Sequence, residues 1–156
     1  MMKKHIYRII AVSILSIMCA ACTHNDGDIG DLFGVWRLTE LTADGTHVDL
    51  YGDADVDGLQ ACDWAFQGNV VKIEMIYPYY DHDASYGIWS REGDRLLIDF
   101  SHTSGESINF DPPAELHLEA RGVTSLTMTE MSRTRMTGWY VDSEGVRYEY
   151  HLRRLY

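Results

Sequence analysis

The chain has 156 residues, 46% of them apolar, with 24 acidic side chains against 13 basic ones and a formal net charge of −11. That length allows one domain with a modest core, and that sign of charge works against nucleic acid and anionic lipid as general electrostatic partners. Three cysteines, Cys19, Cys22 and Cys62, are too few for a disulfide framework.

In chain order, Lys3, Lys4 and Arg8 precede an apolar run over residues 9–21 that ends in Ala20 and Ala21. A basic start, a short apolar run and small residues at its close describe a secretory signal peptide. As a helix the run spans about 20 Å, short of the roughly 30 Å hydrocarbon core, so it is better cut than kept. Its end, Cys19-Ala20-Ala21-Cys22, resembles the lipobox of bacterial lipoproteins, with Cys19 standing where that motif usually has leucine. The resemblance implies acylation of Cys22 and attachment to a membrane through the lipid; an ordinary secreted protein cut nearby is the alternative. Residues 1–21 are then a leader, 22–31 the acylated cysteine and a polar, flexible tether, and 32–156 the folded domain. Loss of Lys3, Lys4 and Arg8 leaves ten basic residues against 24 acidic, a charge of about −14. The acidic residues after Cys22 resemble the surface-export signal of lipoproteins of Bacteroidetes-type envelopes, here interrupted by Gly27, and imply a lipid-anchored protein of the outer membrane on its periplasmic or outer face. Cys62 is left alone and is expected as a small buried residue in preference to a nucleophile.

From Leu32 onward the pattern is short alternating runs between turn residues, which predicts antiparallel strands. Strands are expected over 34–41, 46–51, 61–66, 70–77, 86–91, 95–101, 115–120, 126–131, 133–141 and 146–155, with loops at 53–58, 78–85 and 102–113. Val71, Ile73, Met75 and Tyr77 share one face, as do Leu96, Ile98 and Phe100, and Tyr148, Tyr150 and Leu152, with Arg154 on the same parity. Eight to ten strands joined mostly by hairpins must close or be covered, and closure predicts an all-β, single antiparallel up-and-down barrel.

Gly34-x-Trp36 on the first strand, Arg154 on the last and the hairpin meander between them resemble the lipocalin and lipocalin-like superfamily. The resemblance implies that the tryptophan closes one barrel end and that the arginine packs across its ring. A long helix after the barrel, usual in that family, is not expected within residues 32–156. The short lipocalin-like lipoproteins of Bacteroidetes-type cell envelopes are the nearer likeness.

Asp53, Asp55, Asp57 and Gly58 match the opening D-x-D-x-D-G of a calcium loop, but Trp64 stands where the closing bidentate glutamate belongs. A looser, weak calcium loop and a solvated acidic turn both stay open, and no other cofactor is expected. Tyr77, Tyr79 and Tyr86, with Tyr148 and Tyr150, are candidates for holding a small apolar, amphipathic or glycan ligand; the plainer reading is that alternate tyrosines plug a barrel end. Asp81-His82-Asp83 points its neighbours to opposite sides of an extended chain. There is no G-x-S-x-G, no H-E-x-x-H and no phosphate-cradling glycine loop, so catalytic residues are not nominated and an enzyme is not expected. The sequence reading is therefore a lipid-anchored binding module for a small apolar or amphipathic ligand, the alternative being a scaffold or interaction subunit of an outer-membrane assembly with a filled barrel. A lumen filled by its own side chains decides against the first.

Overall fold

The polar and apolar alternation becomes nine strands among the residues that the computed structural model describes, 30, 32–51, 58–105 and 108–156. In chain order they are β1 (Gly34–Ala43), β2 (Thr46–His47), β3 (Ala61–Gln67), β4 (Val70–Ile76), β5 (His82–Glu92), β6 (Arg95–Asp99), β7 (Val123–Met131), β8 (Arg135–Val141) and β9 (Arg147–Arg154). Short 3-10 turns lie at Pro78–Tyr80 and Ala114–Leu116. From β3 to β9 each strand pairs antiparallel with the next, β1 pairs β3, and β9 returns to pair β1. This closure yields the expected barrel, eight strands with no free edge, while β2 only prolongs the hairpin beyond the far end of β1.

β1 serves two neighbours by being long. Gly34 to Arg37 pair with β3, and Trp36 to Ala43 pair with β9 through a register shift between Leu38 and Glu40. A bulge there resets the parity, so that Trp36, Leu38 and then Leu41 all turn inward and are buried.

Three expectations about elements are corrected. Residues 115–120 are not a strand: after Pro112 and Pro113 the chain makes the Ala114–Leu116 turn, His117 takes a left-handed φ of 54°, and both leucines are buried from a loop. Alternation of Leu116 and Leu118 fits such an inserted loop as well as a strand, and the prolines remove ladder donors just upstream. Residues 46–51 return only as the two-residue β2 before the chain leaves the ladder. Conversely, 82–85, expected as loop, extends β5, since His82 and Asp83 find ladder partners in Ile76 and Met75.

One end of the barrel, the entry end, holds the start of β1, the finish of β9 and the turns 67–70, 92–95 and 131–135. The other, the loop end, holds the β1–β2 hairpin, the long segment 100–122 and the turn 141–147.

Candidate functional site

At the entry end, Trp36 and Arg154 are direct cross-strand partners, so both side chains leave the same face. The guanidinium carbon of Arg154 lies 5.1 Å from the centroid of the Trp36 ring, and the group also donates to the carbonyls of Phe33 and Arg133. Trp36 Nε1 donates to the Leu32 carbonyl at 2.8 Å, which folds the incoming segment under the ring. Gly34 has a φ of 126°, and a Cβ built there would stand 2.6 Å from the Tyr156 carbonyl oxygen. Only glycine suits both demands. Gly34, Trp36 and Arg154 thus meet where β1 and β9 shut this end.

The lumen behind them is occupied by the chain itself. Trp36, Trp64 and Tyr150 have 0% of their surface exposed and Phe66 1%. A side chain without accessible surface borders no void large enough for a water molecule. Trp64 and Tyr150 meet at 5.7 Å, and Phe66 meets Trp89 edge to face at 5.6 Å. Two inward glycines mark how closely these rings are packed: a Cβ on Gly87 would fall 2.9 Å from Ile98 and 3.0 Å from Phe100, and one on Gly138 would fall 2.8 Å from Met128 Sδ.

The loop end is plugged by residues 114–118. Leu116 and Leu118 are buried, the Tyr150 hydroxyl donates to the Leu116 carbonyl at 2.7 Å, and the Tyr140 hydroxyl donates to the His117 carbonyl. The His117 ring stacks on Tyr148 at 4.6 Å, and Tyr148 in turn lies 6.0 Å from Tyr140. Burial pushes the Tyr140 phenol up to about 12 and that of Tyr150 higher still, so both remain neutral donors. Tyr140 was not singled out by sequence, although it shares parity with Met136 and Gly138 on β8.

Of the five tyrosines proposed for a ligand, Tyr148 and Tyr150 come together here, and what they hold is the chain's own loop. Tyr77 is half-buried against the core. Tyr79 stands 92% exposed at a left-handed φ of 64°. Tyr86 faces outward, because Ser85, Gly87 and Trp89 are the buried parity of β5. Cys22, Asp53, Asp55 and Asp57 lie outside the described residues. Among the described residues no three His, Cys, Asp or Glu side chains converge to hold a metal. Cys62 is fully buried, and burial pushes its thiol up to about 12, far from a reactive thiolate.

No family model matches the chain, and no curated protein does. Solved structures do match. The chain is similar to a lipocalin-like protein from Bacteroides uniformis ATCC 8492, at 18% identity over 81% of this chain and 100% of that one, with a TM-score of 0.53. The fold is lipocalin-like. An uncharacterized protein from Bacteroides eggerthii DSM 20697 is similar to this lipocalin-like barrel at 14% identity, over 79% of this chain and 98% of that one, with a TM-score of 0.51. The likeness is one of fold.

Proposed function

We propose that the chain is a lipid-anchored envelope protein whose filled lipocalin-like barrel acts without catalysis, as a scaffold or interaction module that meets a partner protein through its outer surface. The packed lumen carries this reading. With Trp36, Trp64, Phe66 and Tyr150 sealed from solvent, a small apolar ligand finds no space along the barrel axis. The anchor is supported by the lipobox-like Cys19 to Cys22, and the non-catalytic reading by a buried, protonated Cys62 and neutral, hydrogen-bonded tyrosines.

Inside the barrel, among the described residues, the ligand reading keeps a place at the loop end. A ligand that displaced Leu116 and Leu118 would gain the mouth lined by Tyr140, Tyr148 and Tyr150. Titration with the apolar fluorophore N-phenyl-1-naphthylamine separates the two: the filled barrel gives no saturable binding. Saturable binding that a Tyr150→Trp substitution abolishes restores the ligand-binding reading. For the anchor, radioactive palmitate enters wild type and not Cys22→Ala, and equal labelling of the two refutes it.

A further inference from the structure

The strand ends and turns at the two ends of the barrel carry opposite charge. Six arginines, Arg91, Arg95, Arg133, Arg135, Arg153 and Arg154, gather on the strand ends and turns of the entry end, against Glu92, Asp94 and Glu130 there and Asp26, Asp28 and Asp31 in the sequence that leads into it. At the loop end the turns and strand ends carry Asp44, Asp81, Asp83, Glu115, Asp142 and Glu144, among others, against Arg121 and Arg147. The net charge of −11 describes neither end.

Part of the basic charge stays uncompensated. Arg135 is paired with Glu130 at 3.1 Å. Arg91 instead donates to the Gly93 carbonyl and Met131 Sδ, and Arg154 to two backbone carbonyls, all neutral acceptors. Beside the arginines lies an apolar groove between Phe33, Val35, Ala65 and Tyr156. Phe33 is 42% exposed and Tyr156 82%. Arginine beside exposed aromatic rings is the surface chemistry of a membrane interface, with guanidinium for phosphate and rings for the headgroup boundary. The anchor attaches on this side: Cys22 precedes Leu32 by ten residues, at most about 35 Å of extended chain, and the chain enters the barrel at this end.

We infer that the entry end is a membrane-seating face, which holds the barrel upright on an anionic phospholipid surface through Arg91, Arg133 and Arg153 together with Phe33 and Tyr156, and turns the acidic loop end outward. This rests on the anchor reading for Cys22. Each arginine near an anionic surface favours the seated orientation about fivefold, and the attraction acts within about 8 Å at physiological salt.

The acylated full chain, labelled with a fluorophore at Gln67→Cys on the entry end or Ser143→Cys on the loop end, tests it, since buried Cys62 stays unlabelled. In vesicles of brominated phosphatidylcholine with phosphatidylglycerol, the Gln67 label is quenched several-fold more than the Ser143 label. Without phosphatidylglycerol, at high salt, or with Arg91, Arg133 and Arg153 all changed to Glu, the difference collapses. Salt makes the test without any variant, so misfolding of the triple variant leaves it intact. Equal quenching of both labels, or indifference to lipid charge and salt, overturns the inference. If wild type and Cys22→Ala both stay off neutral vesicles, the anchor reading alone fails. Binding of either to anionic vesicles, lost in the triple variant, then upholds the seating face, and no such binding overturns it.

Discussion

Gly87 shows how a single missing methyl reports on the whole lumen. Its neighbours Ile98 and Phe100 come from the adjacent strand and the residue after it, and both have 0% exposure. Neither can yield in an interior packed at crystal-like density. Gly87→Ala is expected to lower stability by about 1–3 kcal/mol, the usual consequence of overpacking, as read from urea unfolding. An empty lumen would accept the methyl without loss, so an unchanged midpoint speaks against the filled barrel. Arg154 makes the opposite case, in which a side chain is added rather than left out. Its position over Trp36 is worth about 0.5–2 kcal/mol, and it also caps the Phe33 and Arg133 carbonyls. Arg154→Ala is expected to lose at least that much and to raise the fluorescence response of Trp36 to added quencher, since the ring then opens to solvent.

The segment 100–122 behaves as an element in its own right, although its described residues contain only one 3-10 turn. Its hold on the barrel depends on hydroxyls from β8 and β9, with Tyr150 donating to a carbonyl on a buried residue, Leu116. Tyr150→Phe leaves that carbonyl without its donor, at a cost of about 1–3 kcal/mol, and limited proteolysis is expected to cut within 101–122 faster than in wild type. Tyr86→Phe, on the outer face, leaves the cleavage rate unchanged. If both variants are cut at the wild-type rate, the tyrosines do not hold the plug. This element also marks where sequence reasoning ran out. Period-two alternation made β4, β6 and β9 legible because one parity is apolar and the other polar, as in Val71, Ile73 and Met75 against Lys72 and Glu74. Leu116 and Leu118 obey the same period from a loop, so a strand was expected where a plug exists. On β5 both parities are partly apolar, and the inner one is Ser85, Gly87 and Trp89; small residues face the lumen because Ile98 and Phe100 fill the space. Tyr86 is therefore not told from an inward tyrosine by its period, and Tyr140 carries no signal beyond its parity with Met136 and Gly138. Gly34, Trp36 and Arg154 are named in the sequence through the family resemblance, and the structure places the Arg154 guanidinium over the Trp36 ring with Gly34 beside it.

The whole molecule buries titratable groups in their neutral forms, which makes its stability depend on alkaline pH with a determined sign. Burial raises Cys62 from 9.0 to about 12, and Tyr51 and Tyr140 from 10.0 to about 12, with Tyr150 above them. A group whose folded value lies above its unfolded one stabilises the fold below the unfolded value, and that contribution is lost as pH rises through the folded value. In the unfolded chain Cys62 releases its proton from about pH 9 and the phenols from about pH 10, while the native barrel keeps all four protons up to about pH 12. The contribution of these four groups is therefore constant up to about pH 9, falls from there and steepens above pH 10, by about 1.4 kcal/mol per pH unit for each group that titrates only in the unfolded chain. Urea unfolding across this range measures the slope, and phenolate absorbance in the native protein measures its cause. Cys62→Ala shifts the onset up to pH 10 and leaves the steeper part in place. Tyr150→Phe lessens the steeper part and leaves the onset. Phenols of the native barrel that all titrate near pH 10, or a midpoint that holds constant to pH 12, would show that the plug and lumen are open to water.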